Sequence, residues 1–370
     1  MNEENTLLLH VAITSSLKLN NRVYLPVIEG CGGVEGFFRE TERGIRALYA
    51  EHGVDPVNLA REDWTRQAAR ELAFMQREGV RCSYIDSPRY PRLLKHCADA
   101  PLVIFHKGTL EPTDAKMLAI VGTRKASERC KARVELFVKQ IVEMHYAPVV
   151  VSGLAYGIDV SAHQSAMRHD LVTWAVLGHG LHTLYPAPHR SIAEKIIAAG
   201  GCLISEYPSS APILPANFLQ RNRIIAGISE AVLVAESAVR GGAMSTARQA
   251  FSYNRGVMAI PGRPDDHLSS GCNMLIKGNI AHLVEETADV LHVLGWEERA
   301  SRQVAVPLDL FTEPEREERV KTILREQGDQ HVDQLCLLAA IPLPELTPLL
   351  LKLELEGSIV PLPGNRYALS

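Results

Sequence analysis

The chain has 370 residues, 46% of them hydrophobic and 22% charged, with a formal net charge of −4. That length exceeds one hydrophobic core and implies two or three domains, and the composition is that of a folded globular protein and not a disordered one. No apolar run approaches ~20 residues, which excludes an expected membrane span, and the seven scattered cysteines lack any CxxC pair, so they offer neither a zinc site nor a disulfide framework and suit a reducing cytoplasm.

The N-terminus, MNEENTLLLHVAITSS, sets acidic residues before a short apolar stretch, unlike a secretory signal. TLLLHVAITSSL, GVEGFFRETERGIRALYAEHG and NLAREDWTRQAARELAFMQREG predict helices within the first 80 residues. The last carries Glu62 and Asp63 in its first turn and Gly79 at its end. RCSYID then leads past Pro88 and Pro91 to PLVIFHKG, a strand ending in glycine. From Lys116 the pattern alternates. MLAIVG, YAPVVVSG, LVTWAVLGHG, GCLISEYP, AVLVAES and GVMAIPG are short apolar runs ending in Gly, Ser or Pro, most followed by helical periodicity. Continuous apolar strands alternating with helices imply a parallel sheet covered on both faces.

Residues 296–312 have little periodicity and read as a linker. Beyond them EPEREERVKTILREQG, HVDQLCLLAA and LPELTPLLLKLELEG predict three helices, and SIVPLPGNRYAL a hairpin turning at Pro363-Gly364-Asn365, together a winged-helix plan. The expected organisation is therefore α/β: a helical domain over 1–80, a Rossmann-like parallel-sheet domain over 81–295, the linker, and a winged helix over 313–370.

Charge is unevenly distributed along this plan. Residues 115–280 hold 17 Lys or Arg against 11 Asp or Glu, whereas 313–370 hold 6 against 10. The middle of the chain is a candidate polyanion surface and the tail is acidic. The third tail helix has Lys352 alone against Glu345, Glu354 and Glu356, so duplex reading is not expected of it. A protein-contacting or regulatory module with at most an auxiliary DNA role is. Its leucines Leu349, Leu350, Leu353 and Leu355 cannot all face inward at helical spacing.

In open parallel sheets, ligands sit outside the carboxyl ends of the strands, where helix N-termini present unpaired N–H groups. Informative residues recur at such ends here: Gly122, Thr123, Arg124 and Lys125 in VGTRKAS, Ser152 and Gly153 in SGLAYGID, the GHG of 178–180, and Gly242 and Thr246 in RGGAMSTARQA. Glycine lets backbone amides approach a phosphate, and hydroxyls and Arg forks complete a cradle; ordinary strand-to-helix turns are the alternative. A dinucleotide fingerprint, GxGxxG, is absent from GTRKAS and SGLAYG, as is a P-loop, so no NAD, FAD or other cofactor is expected. No histidine has metal-ligand spacing; His163 is expected to pack at the edge of the site and Asp159 to brace a helix start. NFLQRNRII joins Phe218, Arg221, Asn222 and Arg223, the combination that stacks a base and grips its backbone, although Phe218 could equally face the core with Ile224 and Ile225.

YPRLLKHCADAPLVIFHKG, AIVGTR, VVSGLAYGIDVSAH, AVLGHGL, SEYP, FLQRNRIIAGIS, VLVAES, AMSTARQA, GVMAIPG and SGCNMLIKGN occur in the order seen in the DNA-processing protein DprA (Smf) family, which the chain resembles over roughly residues 82–285. The resemblance implies a Rossmann-like single-stranded DNA-binding protein and not an enzyme. It also implies a cytoplasmic homodimer that loads the recombinase RecA onto incoming strands in natural transformation and displaces single-strand-binding protein. It implies Arg124 as a phosphate grip, Ser152 and Gly153 as a backbone cradle, Arg221 and Asn222 beside a stacking Phe218, and Lys277 among the DNA-binding residues. The helical start resembles a sterile-alpha-motif-like domain. Gly241-Gly242-Ala243 stands where the family has Ser-Gly-Ser, and Asn279 where it has Ala. The competing class, a nucleotide phosphoribohydrolase on a related fold, needs an acid where this chain has Arg248 and Gln249. A winged-helix transcription regulator would account for the tail alone.

Overall fold

The computed structural model describes residues 3–16, 21–54, 59, 61–110, 115–296, 313–362 and 365–370. The chain divides into two compact units, 1–297 and 298–370. The first opens with five helices, α1 (Glu3–Ser16), α2 (Asn21–Gly30), α3 (Val34–Arg39), α4 (Glu42–Glu51) and α5 (Arg61–Glu78). A sheet and its helices follow: β1 (Arg81–Tyr84), α6 (Arg92–Lys95), β2 (Val103–Gly108), β3 (Met117–Gly122), α7 (Glu128–Glu143), β4 (Val149–Ser152), α8 (Ile158–Arg168), β5 (Thr173–Leu177), α9 (Arg190–Ala198), β6 (Cys202–Ser205), α10 (Pro215–Ile228), β7 (Ala231–Glu236), α11 (Gly242–Ser252), β8 (Gly256–Ala259), α12 (Ser270–Lys277), β9 (His282–Leu283) and α13 (Thr287–Leu294).

The strands form one sheet in the order β1-β2-β6-β5-β4-β3-β7-β8-β9. From β6 to β9 all pairings are parallel, as the apolar runs predict, while β2 joins β6 and β1 joins β2 antiparallel. Period-two alternation explains why the strands are apolar throughout. Leu118 and Ile120 of β3 enter a core with Val134, Phe137 and Ile141 of α7 and Ala162 of α8. Ala119 and Val121 point the other way, into a core with Ile224 and Ile225 of α10 and Ala247 of α11. Each buried aliphatic side chain contributes about 1.5–3 kcal/mol.

The helical head is not isolated from the sheet. Phe37, Tyr49 and Trp64 share a core with Leu102, Val103 and Phe105 of the β2 segment, the Tyr24 hydroxyl accepts from Leu102 N–H at 3.0 Å, and both Glu71 carboxylate oxygens accept from Ser209 N–H at 2.9 and 3.0 Å. Helix α2 is an element that the sequence patterns did not single out. Trp296, which the sequence assigns to the linker, is instead buried in the first unit, where its Nε1–H donates to Glu230 at 2.8 Å. The rest of that linker, and Pro363 and Gly364 of the predicted turn, lie outside the described residues.

The second unit has α14 (Glu313–Gln327), β10 (Gln330–His331), α15 (Val332–Ala339), α16 (Leu343–Leu355), β11 (Ile359–Leu362) and β12 (Arg366–Leu369). Its sheet, β10-β12-β11, has one short strand more than the predicted hairpin. Leu349, Leu350 and Leu353 are buried, whereas Leu355 is 80% exposed. Among the described residues no single helix is long and apolar enough to cross a membrane. All seven cysteines are free, and burial pushes the thiols of Cys202 and Cys272 up to about 12, which makes them inert apolar side chains.

Two imidazoles in the sheet unit make its stability depend on acidity. His163, fully buried on α8, bonds Thr173 Oγ1 at 2.6 Å, and its Nε2 has no hydrogen-bond partner among the described residues. Burial, with the charges of Arg221 and His189 adding, lowers it to about 3. Burial likewise lowers His106 to about 4. Unfolded imidazoles titrate near 6.5, so their contribution is complete above that pH and is lost as pH falls toward 4 and 3, because only the unfolded chain takes up the protons. The urea midpoint is expected to fall steadily from pH 7 to pH 4.5, and His163→Gln to flatten that slope. A pH-independent midpoint across this window would contradict it.

Candidate nucleic-acid interface

The chain runs outward through β3, β4, β5 and β6 and then returns to place β7 on the other side of β3. The gap between the carboxyl ends of β3 and β7 is therefore the switch point, where sheets of this kind take a dinucleotide with its phosphates on the next helix N-terminus. Here the protein's own carboxylate bonds that helix start. Ser127 caps α7, and its backbone N–H and hydroxyl donate to Glu236, the last residue of β7, at 2.8 and 2.7 Å. Glu236 thus supplies the negative charge that the start of α7 favours, and a phosphate would meet a buried anion. The absence of a dinucleotide fingerprint has this structural counterpart.

The neighbouring turns are built differently. Gly157 caps α8 with φ 78°, a left-handed conformation that favours glycine. A Cβ there would collide with the Thr123 carbonyl oxygen, and Ile158 N–H donates to that same oxygen at 3.2 Å. The turn after β4 therefore lies on the turn after β3, and the two make one surface. Arg124 and Lys125 stand exposed on it, and neither has an ion-pair partner recorded among the described residues. Tyr156, 46% exposed, meets His189 edge-on at 4.8 Å.

A second aromatic group follows β5. Tyr185 is 49% exposed and lies 5.4 Å from the half-buried Phe218 ring, which in turn meets His179 at 6.4 Å. Tyr185 N–H donates to His179 Nε2 at 3.0 Å, leaving Nδ1–H for the Gly180 carbonyl at 2.9 Å. Burial lowers the His179 pKa, so the ring stays neutral and holds this loop as a fixed hydrogen-bond bracket.

The predicted basic residues of α10 do not reach solvent. Arg221 is 4% exposed. Its Nη1 donates to the Gly153 carbonyl at 2.7 Å and also to the Val176 carbonyl. A Cβ on Gly153 would strike the guanidinium, so glycine there makes room for it. Asn222 Nδ2 donates to the Gly242 carbonyl at 3.3 Å, and Arg223 is buried in an ion pair with Glu206 and donates to the Asp99 carbonyl at 2.6 Å. The expectation that Arg221, Asn222 and Arg223 grip phosphate directly is therefore corrected: they hold the turns in place from beneath. Asp159 lies in the same buried region, accepting from Ala155 N–H at 3.4 Å. Burial pushes its carboxyl above the usual range, and the Arg221 charge opposes that shift. It braces the start of α8, as its sequence position suggests.

Ser152 is also internal, its hydroxyl donating to the Ile120 carbonyl at 2.6 Å, and Thr246 is buried. Gly122 and Thr123 are half-buried and Gly242 is exposed at the start of α11, beside the exposed Arg240. Lys277 ends α12, whose first turn is tied to the strand end by Gly271 N–H on the Ser237 carbonyl. Arg124 and Lys125 share a surface with Tyr156, Phe218 packs separately with Tyr185, and the sequence analysis missed Tyr156, Tyr185 and Glu236. An aromatic beside a glycine or proline in a strand-end turn was the available signal for the two tyrosines. Among the described residues no group of three His, Cys, Asp or Glu could hold a metal.

Fold and edge together define a Rossmann-like α/β protein whose switch-point helix start is bonded by Glu236 and whose strand-end face carries exposed cations and aromatics. The model of the DNA recombination-mediator protein A family matches residues 81–295, more than half the chain, and that of the DprA winged helix domain matches 312–365. Protein Smf of Escherichia coli (strain K12) is 35% identical over 334 residues, covering 84% of this chain and 87% of that protein. The X-ray structure of DNA processing protein A from Streptococcus pneumoniae superposes with a TM-score of 0.63 at 30% identity, over 79% of this chain and 98% of that one. DNA processing protein A from Helicobacter pylori, described for its single-stranded DNA binding mode, shares the fold at TM-score 0.51 and 24% identity, over 58% of this chain and 96% of that one. The chain belongs to the DNA recombination-mediator protein A family.

Because Arg221 joins two strand ends from within, Arg221→Ala is expected to destabilise the fold, by on the order of 3 kcal/mol, since two carbonyls and a buried carboxyl lose their cationic partner. The measurement is the urea midpoint. A variant with wild-type stability and weakened DNA binding would instead return Arg221 to the surface role.

Proposed function

We propose that this protein binds single-stranded DNA at the carboxyl edge of its sheet and acts as a recombination mediator. In this reading it is a homodimer that loads the recombinase RecA onto the strand during natural transformation, displaces single-strand-binding protein and catalyses no reaction. Family membership supports this reading, and the Helicobacter pylori relative binds single-stranded DNA. The observation that carries it is the single surface on which Arg124 and Lys125 adjoin exposed Tyr156, with Tyr185 over Phe218 at the next turn. Cations that track a backbone and aromatics that take bases are the composition of a sequence-tolerant single-strand site. The hydrolase alternative lacks support here, because the acid at the end of β7, Glu236, is bound by Ser127.

Arg124→Ala and Lys125→Ala are each expected to weaken single-strand binding and to flatten the log affinity against log salt slope by about 0.7 per lost phosphate contact, with the unfolding midpoint unchanged. Tyr185→Ala is expected to cost about 1–3 kcal/mol of affinity by loss of base stacking, whereas Phe218→Ala, which removes the support of that ring, lowers both affinity and stability. Fluorescence anisotropy and urea melts read these outcomes, and unchanged affinity in both cation variants would overturn the site.

The winged helix is assigned a regulatory or protein-contacting role. Along α16, Pro344, Pro348, Leu351 and Leu355 are all exposed, an apolar stripe at helical spacing. Lys352 pairs with Glu317 at 2.6 Å and Arg316 with Glu345 at 3.0 Å. Such a face offers little to duplex phosphates. A chain ending after Glu297, which retains the buried Trp296, is expected to keep single-strand affinity within about tenfold, or ~1.4 kcal/mol, at matched salt. A larger loss would make the tail a principal DNA-binding element.

A further inference from the structure

Helices α7 and α8 frame a groove of about 670 Å³ that begins at the strand-end face and is lined by Arg124, Lys125, Lys131, Tyr156, Gln164 and Arg168. Its first two cations are those already assigned to the edge, so the two features are continuous. From Gly157 to Arg168 the α8 wall is about 16 Å long.

Two carboxylates, Glu128 and Glu135, also line the groove, and both are bound within the protein. Glu128 takes Lys131 Nζ at 2.6 Å. Glu135 accepts the Ser165 hydroxyl at 2.5 Å, His169 Nε2 at 2.9 Å and Arg168 Nη2 at 2.9 Å. Four cations against two carboxylates leave the groove net positive. The cations of these pairs are 37% exposed for Lys131 and 58% for Arg168, where solvent screens ion pairs strongly, so both can turn to a phosphate at little cost. Glu135 keeps two other donors when Arg168 leaves.

We propose that the α7–α8 groove is a second phosphate-binding subsite, through which a single strand held at the sheet edge continues past Tyr156 to Lys131 and Arg168. The proposal rests on the edge being a single-strand site and adds to it a direction of travel and a dependence on strand length. A short oligonucleotide fills the edge alone; a longer one also occupies the groove.

The test is anisotropy of the full chain with labelled oligothymidylates of about six and about twenty nucleotides, over a salt series. For the double variant Lys131→Ala/Arg168→Ala, short-oligomer affinity is expected to stay at the wild-type value. Long-oligomer affinity is expected to fall by about tenfold, and its salt slope to flatten by about 1.4, two contacts' worth. The charge-preserving Lys131→Arg/Arg168→Lys variant is expected to restore both. Unchanged long-oligomer affinity and slope in the double alanine variant, while Arg124→Ala weakens both oligomers, would refute the groove and leave the edge site standing. No effect of Arg124→Ala on either oligomer would instead remove the edge site on which the groove depends. Equal loss for both oligomers with a lowered unfolding midpoint would show Lys131 and Arg168 to be structural and would also refute the groove.

Discussion

The guanidinium of Arg221 sits where three turns would otherwise be independent of one another. It donates to the carbonyls of Gly153, just after β4, and Val176, within β5, while the next residue, Asn222, reaches Gly242 at the start of α11. Carbonyls at strand ends need partners, and an unpaired buried one costs about 1–3 kcal/mol. Satisfying two of them from one side chain, in a region that also holds the buried Asp159 carboxyl, ties the loops to α10. The exposed groups of the edge, Arg124, Lys125, Tyr156 and Tyr185, inherit their positions from that tie. Loops already held in place lose little entropy when they bind a partner.

A second constraint decides what kind of ligand the edge can take. In a dinucleotide-binding sheet the switch point is open and the helix N-terminus awaits a phosphate. Glu236 occupies that position and satisfies Ser127. The unpaired positive charge lies outward of that helix start, on the exposed side chains of Arg124 and Lys125.

The helical head contributes at the opposite edge of the sheet. By sharing a core with the antiparallel β2 it covers apolar side chains such as Val103 and Phe105 that would otherwise face solvent. Glu71 also fixes Ser209, in the segment that leads from β6 to α10. The helix that carries Arg221 is thereby anchored at its entry as well as at its side.

The parallel sheet, its double cover and the winged-helix plan were legible in the sequence because they follow from local periodicity: apolar runs of four to six residues between helical stretches have few other ways to bury themselves. The clustering of glycines with Arg124 and Lys125 at strand ends was legible for the same reason, since they recur where each run stops. Which arginines face solvent was not. Arg124 and Arg221 are both arginines beside glycine-rich turns, and only the pairing of β4 with β5 beneath α10 determines that one is exposed and the other bound to two carbonyls. Glu236 was invisible for a like reason: its partner Ser127 is 109 residues away and becomes a neighbour only when β7 returns to lie beside β3. Chain-local chemistry placed the edge, and long-range strand order decided which of its charges point outward, because burial depends on what packs above a residue and not on what adjoins it in sequence.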